Sequence, residues 1–218
     1  MEFADCFDRL TADQAFAALT PLARGEIQEP TTVMTSAEVE NPLNPMKMRT
    51  GDPTDLRGVT LIALARIARC QGNAYHRQVI SLLEAALTDT VADVRRYAYT
   101  ATRELPTLSR SIFMALLLGT RDSDEYAAAS AFAALIVNEG YRLTVNQGQL
   151  LLYSAKLALQ SPSARLRRTA AAAVAHLIGR TPPSGPLHLK GEELLRTFSA
   201  DICASVRRAT SSLSDANH

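Results

Sequence analysis

The sequence has no tryptophan, only three cysteines, and no run of about eighteen apolar residues that could span a membrane. Cys6, Cys70 and Cys203 are odd in number and far apart, which argues against a disulfide framework. The first five residues lack the basic start and long apolar stretch of a secretion signal. These absences predict a protein of a reducing compartment. We expect it in the cytoplasm and without a membrane partner.

Recognisable catalytic and metal-binding motifs are also missing. The four histidines are scattered, and the chain contains no HExxH, GxSxG or CxxC motif and no phosphate-binding glycine loop. Cys70 and His76 are close in the sequence, but two ligands do not make a zinc site. We therefore expect no enzyme activity, no cofactor and no bound metal.

What the chain does contain is a repeat of about forty residues, in which an apolar residue followed by arginine begins an alanine-rich segment. The pairs are Leu56-Arg57, Val94-Arg95, Leu166-Arg167 and Val206-Arg207, with a degenerate copy at Tyr126-Ala127. Each pair starts an apolar stripe at steps of four and seven residues, the period of one helix face. The small residues expected to be buried between helices are Ala98, Ala101, Ala133, Ala170 and Ala173. Repeats of this length indicate stacked helical units.

A second apolar segment and a short turn precede each repeated helix, which predicts five helical hairpins in a row. In the second copy, Asp89 stands five residues before Val94-Arg95. This spacing resembles HEAT repeats, and the resemblance covers about residues 10 to 214. It implies an all-α fold, a right-handed α-solenoid of about five HEAT-like hairpins, forming a single domain over residues 1–218. It implies little about activity, because HEAT arrays serve many unrelated roles.

The resemblance also implies a role for the first arginine of each copy, which in HEAT repeats commonly bonds to acidic side chains in neighbouring turns. The expected ladder consists of Arg57, Arg95, Arg167 and Arg207. The acidic side chains available to it are Asp89, Asp93 and Asp201. The third copy has no ladder arginine, because Ala127 and Ala128 stand at its two arginine positions.

The net charge of +1 conceals a strong polarity along the chain. Residues 1–54 hold nine acidic and four basic side chains, whereas residues 156–208 hold nine basic and three acidic ones. Arg96, Arg168 and Arg208 are spaced by whole repeats, which suits the carboxylates or phosphates of a partner, although an arginine-rich solvated surface also has this composition by chance. The candidate partner-binding residues here are Arg96, Arg165, Arg168, Lys190, Arg196 and Arg208.

The stretch from Gly25 to Thr54 interrupts the first hairpin with four prolines and is too long for an ordinary connection. Three interpretations stay open: an ordered flap packed on the helices, a disordered insertion, and an element that contacts a partner. Met46 and Met48 are candidate partner contacts in the third, because methionine side chains adapt to irregular surfaces.

Three function classes remain. The favoured one is a non-catalytic interaction module, an adaptor, inhibitor or immunity-type protein, which holds an acidic protein on its concave or basic C-terminal surface. The second is a nucleic-acid-binding protein of the HEAT-like DNA alkylation-repair type, which the lack of tryptophan and the small net charge disfavour. The third, an enzyme using the same concavity, has no motif in its favour. The sequence does not specify the oligomeric state.

Overall fold

The computed structural model describes residues 11–26, 53–71, 73–137, 143–201 and 203–211. Within these ranges the secondary structure consists of ten α-helices and no β-strand, so the expected all-α fold is confirmed. Most of the predicted insertion, including Met46 and Met48, lies outside the described residues. The chain divides into two compact units, with unit 1 ending at Glu104 and unit 2 beginning at Leu105. The single domain over residues 1–218 stays a prediction.

Unit 1 contains four described helices: α1 (Ala12–Arg24), α2 (Pro53–Gln71), α3 (Asn73–Ala86) and α4 (Ala92–Thr102). Helix α2 packs against each of the other three. Helix α1 begins with a capping box, in which the side chains of Thr11 and Gln14 each accept a hydrogen bond from the other's backbone N–H. It ends at Gly25, whose φ of 72° is the left-handed conformation that closes many helices.

The Tyr97 ring of α4 packs directly on Gly58 of α2. A Cβ atom at this glycine would lie 2.1 Å from Cδ2 of the ring, so any larger residue would force the ring or its helix to move. The surrounding core consists of Leu61, Leu64, Val79, Leu83 and Val94, all of them buried. The absence of a side chain at Gly58 thus lets the aromatic ring fill the space between the two helices.

Unit 2 contains six described helices: α5 (Arg110–Gly119), α6 (Glu125–Val137), α7 (Val145–Ala158), α8 (Ala164–Gly179), α9 (Pro186–Ser199) and α10 (Ala204–Ser211). Consecutive helices pack in pairs, α5 with α6, α7 with α8, and α9 with α10. The first helices of the pairs pack in the order α5, α7, α9, and the second helices in the order α6, α8, α10. Within this unit each helix therefore packs on its partner in the pair and on the corresponding helix of the next pair.

The alanine positions test the predicted helix faces. Ala98, Ala101, Ala170 and Ala173 are buried, as the repeat pattern predicts. Ala133 is only partly buried, so the prediction fails in the third copy. The reason is that the buried face of this helix is shifted by one residue relative to the predicted face. None of the helices in the described ranges is both long and apolar enough to cross a membrane.

Candidate functional site

One hydrogen bond recurs in the turns before α4, α6, α8 and α10 and fixes the register of the repeats. A side-chain oxygen accepts a hydrogen bond from the backbone N–H two residues later, as in Asx- and Ser/Thr-turns. The distances between these atoms are 2.7–3.0 Å in all four turns. The accepting residues are Asp89, Asp122, Ser161 and Asp201. Because a side-chain oxygen accepts from the same backbone N–H in each turn, Oδ1 of aspartate in three turns and Oγ of serine in one, these four residues are equivalent positions.

The buried anchor of each following helix lies five residues after the accepting residue. Counting from these turns gives Val94, Ala127, Leu166 and Val206, and all four are buried. The anchor of the third copy is therefore Ala127, and the predicted anchor Tyr126 is wrong by one residue. Tyr126 is 54% exposed. The sequence pattern favoured the larger apolar side chain, whereas the buried position is the one five residues after the turn oxygen.

Six residues after the turn oxygen stands the ladder arginine, and Arg167 makes the fullest set of bonds. Its NH1 atom donates to the backbone carbonyls of Ser161 and Pro162 at 2.7 and 2.9 Å. Its Nε and NH2 atoms donate to the two carboxylate oxygens of Asp201 at 2.7 and 3.2 Å. We call this set of bonds, to the preceding turn and to the next one, a rung. Only 10% of the Arg167 side chain and 6% of the Asp201 side chain are exposed.

The other ladder arginines make bonds of the same kind. In unit 1, Arg57 NH2 donates to Asp89 at 2.9 Å, and Arg95 NH1 donates to the backbone carbonyl of the same Asp89 at 2.8 Å. In unit 2, Arg207 NH1 donates to the backbone carbonyl of Asp201 at 2.7 Å. The acidic partners Asp89 and Asp201 are thereby confirmed. The third candidate acid, Asp93, pairs with Arg96 three residues later.

The Arg167 rung also changes the ionisation of its partner. Hydrogen bonds from Arg167 lower the pKa of the Asp201 carboxyl, burial opposes this by raising it, and the backbone N–H of Cys203 lowers it further. In turn, the bond to Asp201 raises the pKa of Arg167. Both groups are therefore charged at neutral pH, and each compensates for the burial of the other.

The third copy has an inverted rung. Ala128 occupies the ladder position and is buried, and Glu125 in the same helical turn accepts a hydrogen bond from the Ser161 hydroxyl at 2.7 Å. In the Arg167 rung the helix donates and the next turn accepts, whereas here the next turn donates and the helix accepts. The acid is also better placed than an arginine would be, because the first turn of a helix favours negative charge.

The predicted partner-binding arginine of unit 1 is engaged by its own helix. Arg96 pairs with Asp93 at 3.1 Å, and its guanidinium lies 5.0 Å from the centre of the Tyr97 ring. About one third of its side chain is exposed. Arg96 therefore supports α4 as well as offering charge to solvent.

Three predicted arginines of unit 2 lie in α8 and α10. Arg168 and Arg208 are exposed and stand two residues after the anchors Leu166 and Val206, so they occupy equivalent positions on helices that pack together. The equivalent residue of the third copy is Ala129, which is buried. Arg165 is also exposed, but its guanidinium lies 5.2 Å from the centre of the Tyr126 ring.

The remaining predicted residues differ in their surroundings. Lys190 is exposed on α9. Arg196 lies 3.7 Å from Glu192 on the same helix, and Glu192 is also 3.4 Å from His188. Met46 and Met48 lie outside the described residues, so their proposed role stays a prediction.

The sequence interpretation missed the exposed apolar and aromatic side chains of unit 2. Leu150, Tyr153 and Leu157 lie on one exposed face of α7, and Leu118 of α5 is 67% exposed. Arg121 lies over the Tyr153 ring at 5.8 Å, in the same way that Arg165 lies over Tyr126. The signal was present, because α7 carries two interleaved apolar stripes and only one can face the core.

Side chains that could hold a metal ion do not cluster in the part of the chain that the structure describes. Cys70 and Cys203 are free thiols. No protein-family model matches this chain, and no curated protein matches its sequence.

Proposed function

We propose that this protein is a non-catalytic interaction module of the HEAT-repeat type, a right-handed α-solenoid that acts as an adaptor, inhibitor or immunity-type protein. Two features support the repeat assignment. The hydrogen bond from the backbone N–H to the side-chain oxygen two residues earlier recurs in four turns, and Arg95, Arg167 and Arg207 donate to the backbone carbonyls of their own turns. The free thiols of Cys70 and Cys203 agree with a cytoplasmic location.

The partner in this proposal is an acidic protein that binds the first turns of α6, α8 and α10. The observation that carries it is the contact between Tyr126 and Arg165, an exposed aromatic ring held by a guanidinium from the next hairpin. Tyrosine and arginine are the residues most enriched at interface hot spots, and a side chain already held in place loses little entropy on binding. Arg168 and Arg208 add exposed positive charge beside this contact on the same series of helices.

The proposal is tested by capturing the partner in the native host through in-cell crosslinking and mass spectrometry, and then by measuring association with the purified partner. The Arg168→Glu/Arg208→Glu variant should associate about tenfold more slowly at low salt and should lose most of its salt dependence. The matched control is Arg77→Glu/Arg103→Glu, which makes the same charge change at two exposed arginines of unit 1. Equal slowing by both variants would show a net-charge effect and contradict the assigned surface.

Tyr126→Ala separates the aromatic contribution from the charge. It should raise the dissociation rate and leave the salt dependence unchanged, because an aromatic contact forms after the electrostatic encounter. A gel-shift titration with random duplex DNA completes the test. Retention of the duplex at physiological salt, lost in Arg168→Glu/Arg208→Glu but not in the control, would favour the nucleic-acid interpretation over the proposed one.

A further inference from the structure

A cavity of 560 Å³ lies within unit 2, where α6 and α8 end and α7 and α9 begin. The space is partly open to solvent, because its lining includes the exposed residues Val145 and Arg180. It falls within the volume range of small-molecule binding sites. The cavity is at the opposite end of α6 and α8 from their rungs, and the partner surface proposed above does not use it.

The described residues that line the cavity are strongly segregated by polarity. Ten of the thirteen are apolar, among them Phe113, Leu135, Leu151 and Leu187, contributed by α5, α6, α7 and α9. Water in such a space gains few hydrogen bonds, so an apolar ligand that displaces it gains free energy. The lining therefore favours an aliphatic chain over a polar metabolite.

The three polar lining residues all belong to the end of α8 and the turn that follows it. They are His176, Arg180 and Thr181. Arg180 carries a permanent positive charge, and its guanidinium has the fork geometry that recognises a carboxylate with two parallel hydrogen bonds. One side of the cavity is thus cationic and the rest is apolar, which is the pattern expected for an amphiphile with a single negative charge at one end.

We propose that this cavity binds a medium-chain alkyl carboxylate of about eight to twelve carbons, a size within the range of ligands that such pockets enclose. The chain lies among the side chains of Leu135, Leu151 and Leu187, and the carboxylate pairs with Arg180. Binding here is independent of the proposed acidic partner, because the cavity lining includes none of the residues assigned to that surface.

The direct test is isothermal titration of the full chain with decanoate, decanol and decyltrimethylammonium, each kept below its micelle concentration. We expect saturable binding of one decanoate per chain, binding of decanol at least about tenfold weaker, and no saturable binding of the cation. Absence of saturable decanoate binding would overturn the proposal. So would equal affinity for all three amphiphiles, because that result indicates non-specific adsorption.

Three variants distinguish the contribution of the ligand's carboxylate from that of its alkyl chain. Arg180→Gln should weaken decanoate binding about tenfold and leave decanol binding unchanged, because decanol has no negative charge for the guanidinium to pair with. Val145→Trp, at an exposed lining residue, should weaken both ligands by filling the cavity. The control Arg110→Gln removes an exposed arginine of the same unit that is outside the lining, and it should change neither. Equal losses in Arg180→Gln and Arg110→Gln would overturn the assignment. The comparison of decanoate, decanol and the cation on the unmodified protein tests the head-group preference without any variant.

Discussion

The Arg167 rung and the inverted rung occupy equivalent positions in neighbouring hairpins of unit 2, yet their charges are arranged in opposite ways. In the first, a buried arginine donates to Asp201 of the next turn. In the second, Glu125 accepts from Ser161 of the next turn. Each hairpin thus keeps a hydrogen bond to the next turn while the donor and acceptor exchange sides. What the repeat retains is the connection between hairpins, and the residue types can change if they change together.

The comparison also explains why Ser161 stands where the other turns have aspartate. The turn position needs an oxygen that accepts from the backbone N–H two residues later, and serine and aspartate both provide one. Where the turn residue also bonds to an arginine of the preceding hairpin, an aspartate is suitable. Where it bonds to Glu125, an aspartate would repel that carboxylate, whereas a serine hydroxyl can donate a hydrogen bond to it.

Removing the arginine of the regular rung should have the largest effect on stability. Arg167→Ala leaves the buried Asp201 carboxylate without its guanidinium partner and should lower the free energy of unfolding by about 3 kcal/mol. Urea denaturation measures it. The control Arg168→Ala changes the neighbouring exposed arginine and should cost less than about 0.5 kcal/mol. Similar losses for both variants would show that Arg167 has no special structural role.

The second prediction concerns the pH dependence of the same rung. Asp201→Asn keeps the turn acceptor but removes the negative charge, and should cost about 2 kcal/mol at pH 7. The folded state lowers the pKa of the Asp201 carboxyl. The stabilisation that this carboxylate gives to the fold is therefore complete above its pKa in the unfolded chain, about 3.9, and is lost as the pH falls through its lower pKa in the folded protein. The difference in free energy of unfolding between the unmodified protein and Asp201→Asn should therefore close below about pH 4. A gap that stays constant from pH 7 to pH 3 would contradict this ionisation.

The inverted rung should be weaker, because it contains one hydrogen bond to a partly exposed carboxylate. Ser161→Ala removes the donor to Glu125 and the acceptor for the Ser163 backbone N–H, and should cost about 1 kcal/mol. Ser123→Ala, at an exposed turn position of the same unit, is the matched control and should cost less than about 0.5 kcal/mol. A loss for Ser161→Ala as large as that for Arg167→Ala would mean that the two rungs do not differ in strength.

The sequence was sufficient to predict the all-α fold, the anchors Val94, Leu166 and Val206, and the bonding of Arg57 and Arg167 to acidic turn residues. These features depend on local periodicity and on fixed spacings between turn and helix. The third anchor was wrong because Tyr126 is the larger apolar residue, although Asp122, five residues before Ala127, carried the correct spacing. Turn position was in this case a better guide to register than side-chain size.

The contacts of Tyr126 and Tyr153 with arginines could not be predicted, because they join residues of different hairpins and depend on how the helices pack. The same is true of the cavity, which arises where the ends of α6 and α8 meet the beginnings of α7 and α9. The periodicity of a single helix contains no information about the space left between four of them. Packing therefore supplied the exposed aromatic contact on which the proposed function depends.

The assignment of equivalent rungs, on which the repeat interpretation stands, is tested most directly by a double-mutant cycle between residues 125 and 161. Ser161→Asp places a carboxylate opposite Glu125 and should lower the free energy of unfolding by about 2 kcal/mol. In the Glu125→Gln background the amide can donate to the new carboxylate, so the same substitution should cost less than about 1 kcal/mol. We predict a coupling free energy of at least about 1 kcal/mol. An equal cost of Ser161→Asp in both backgrounds would show that the two positions do not interact and would contradict the inverted rung.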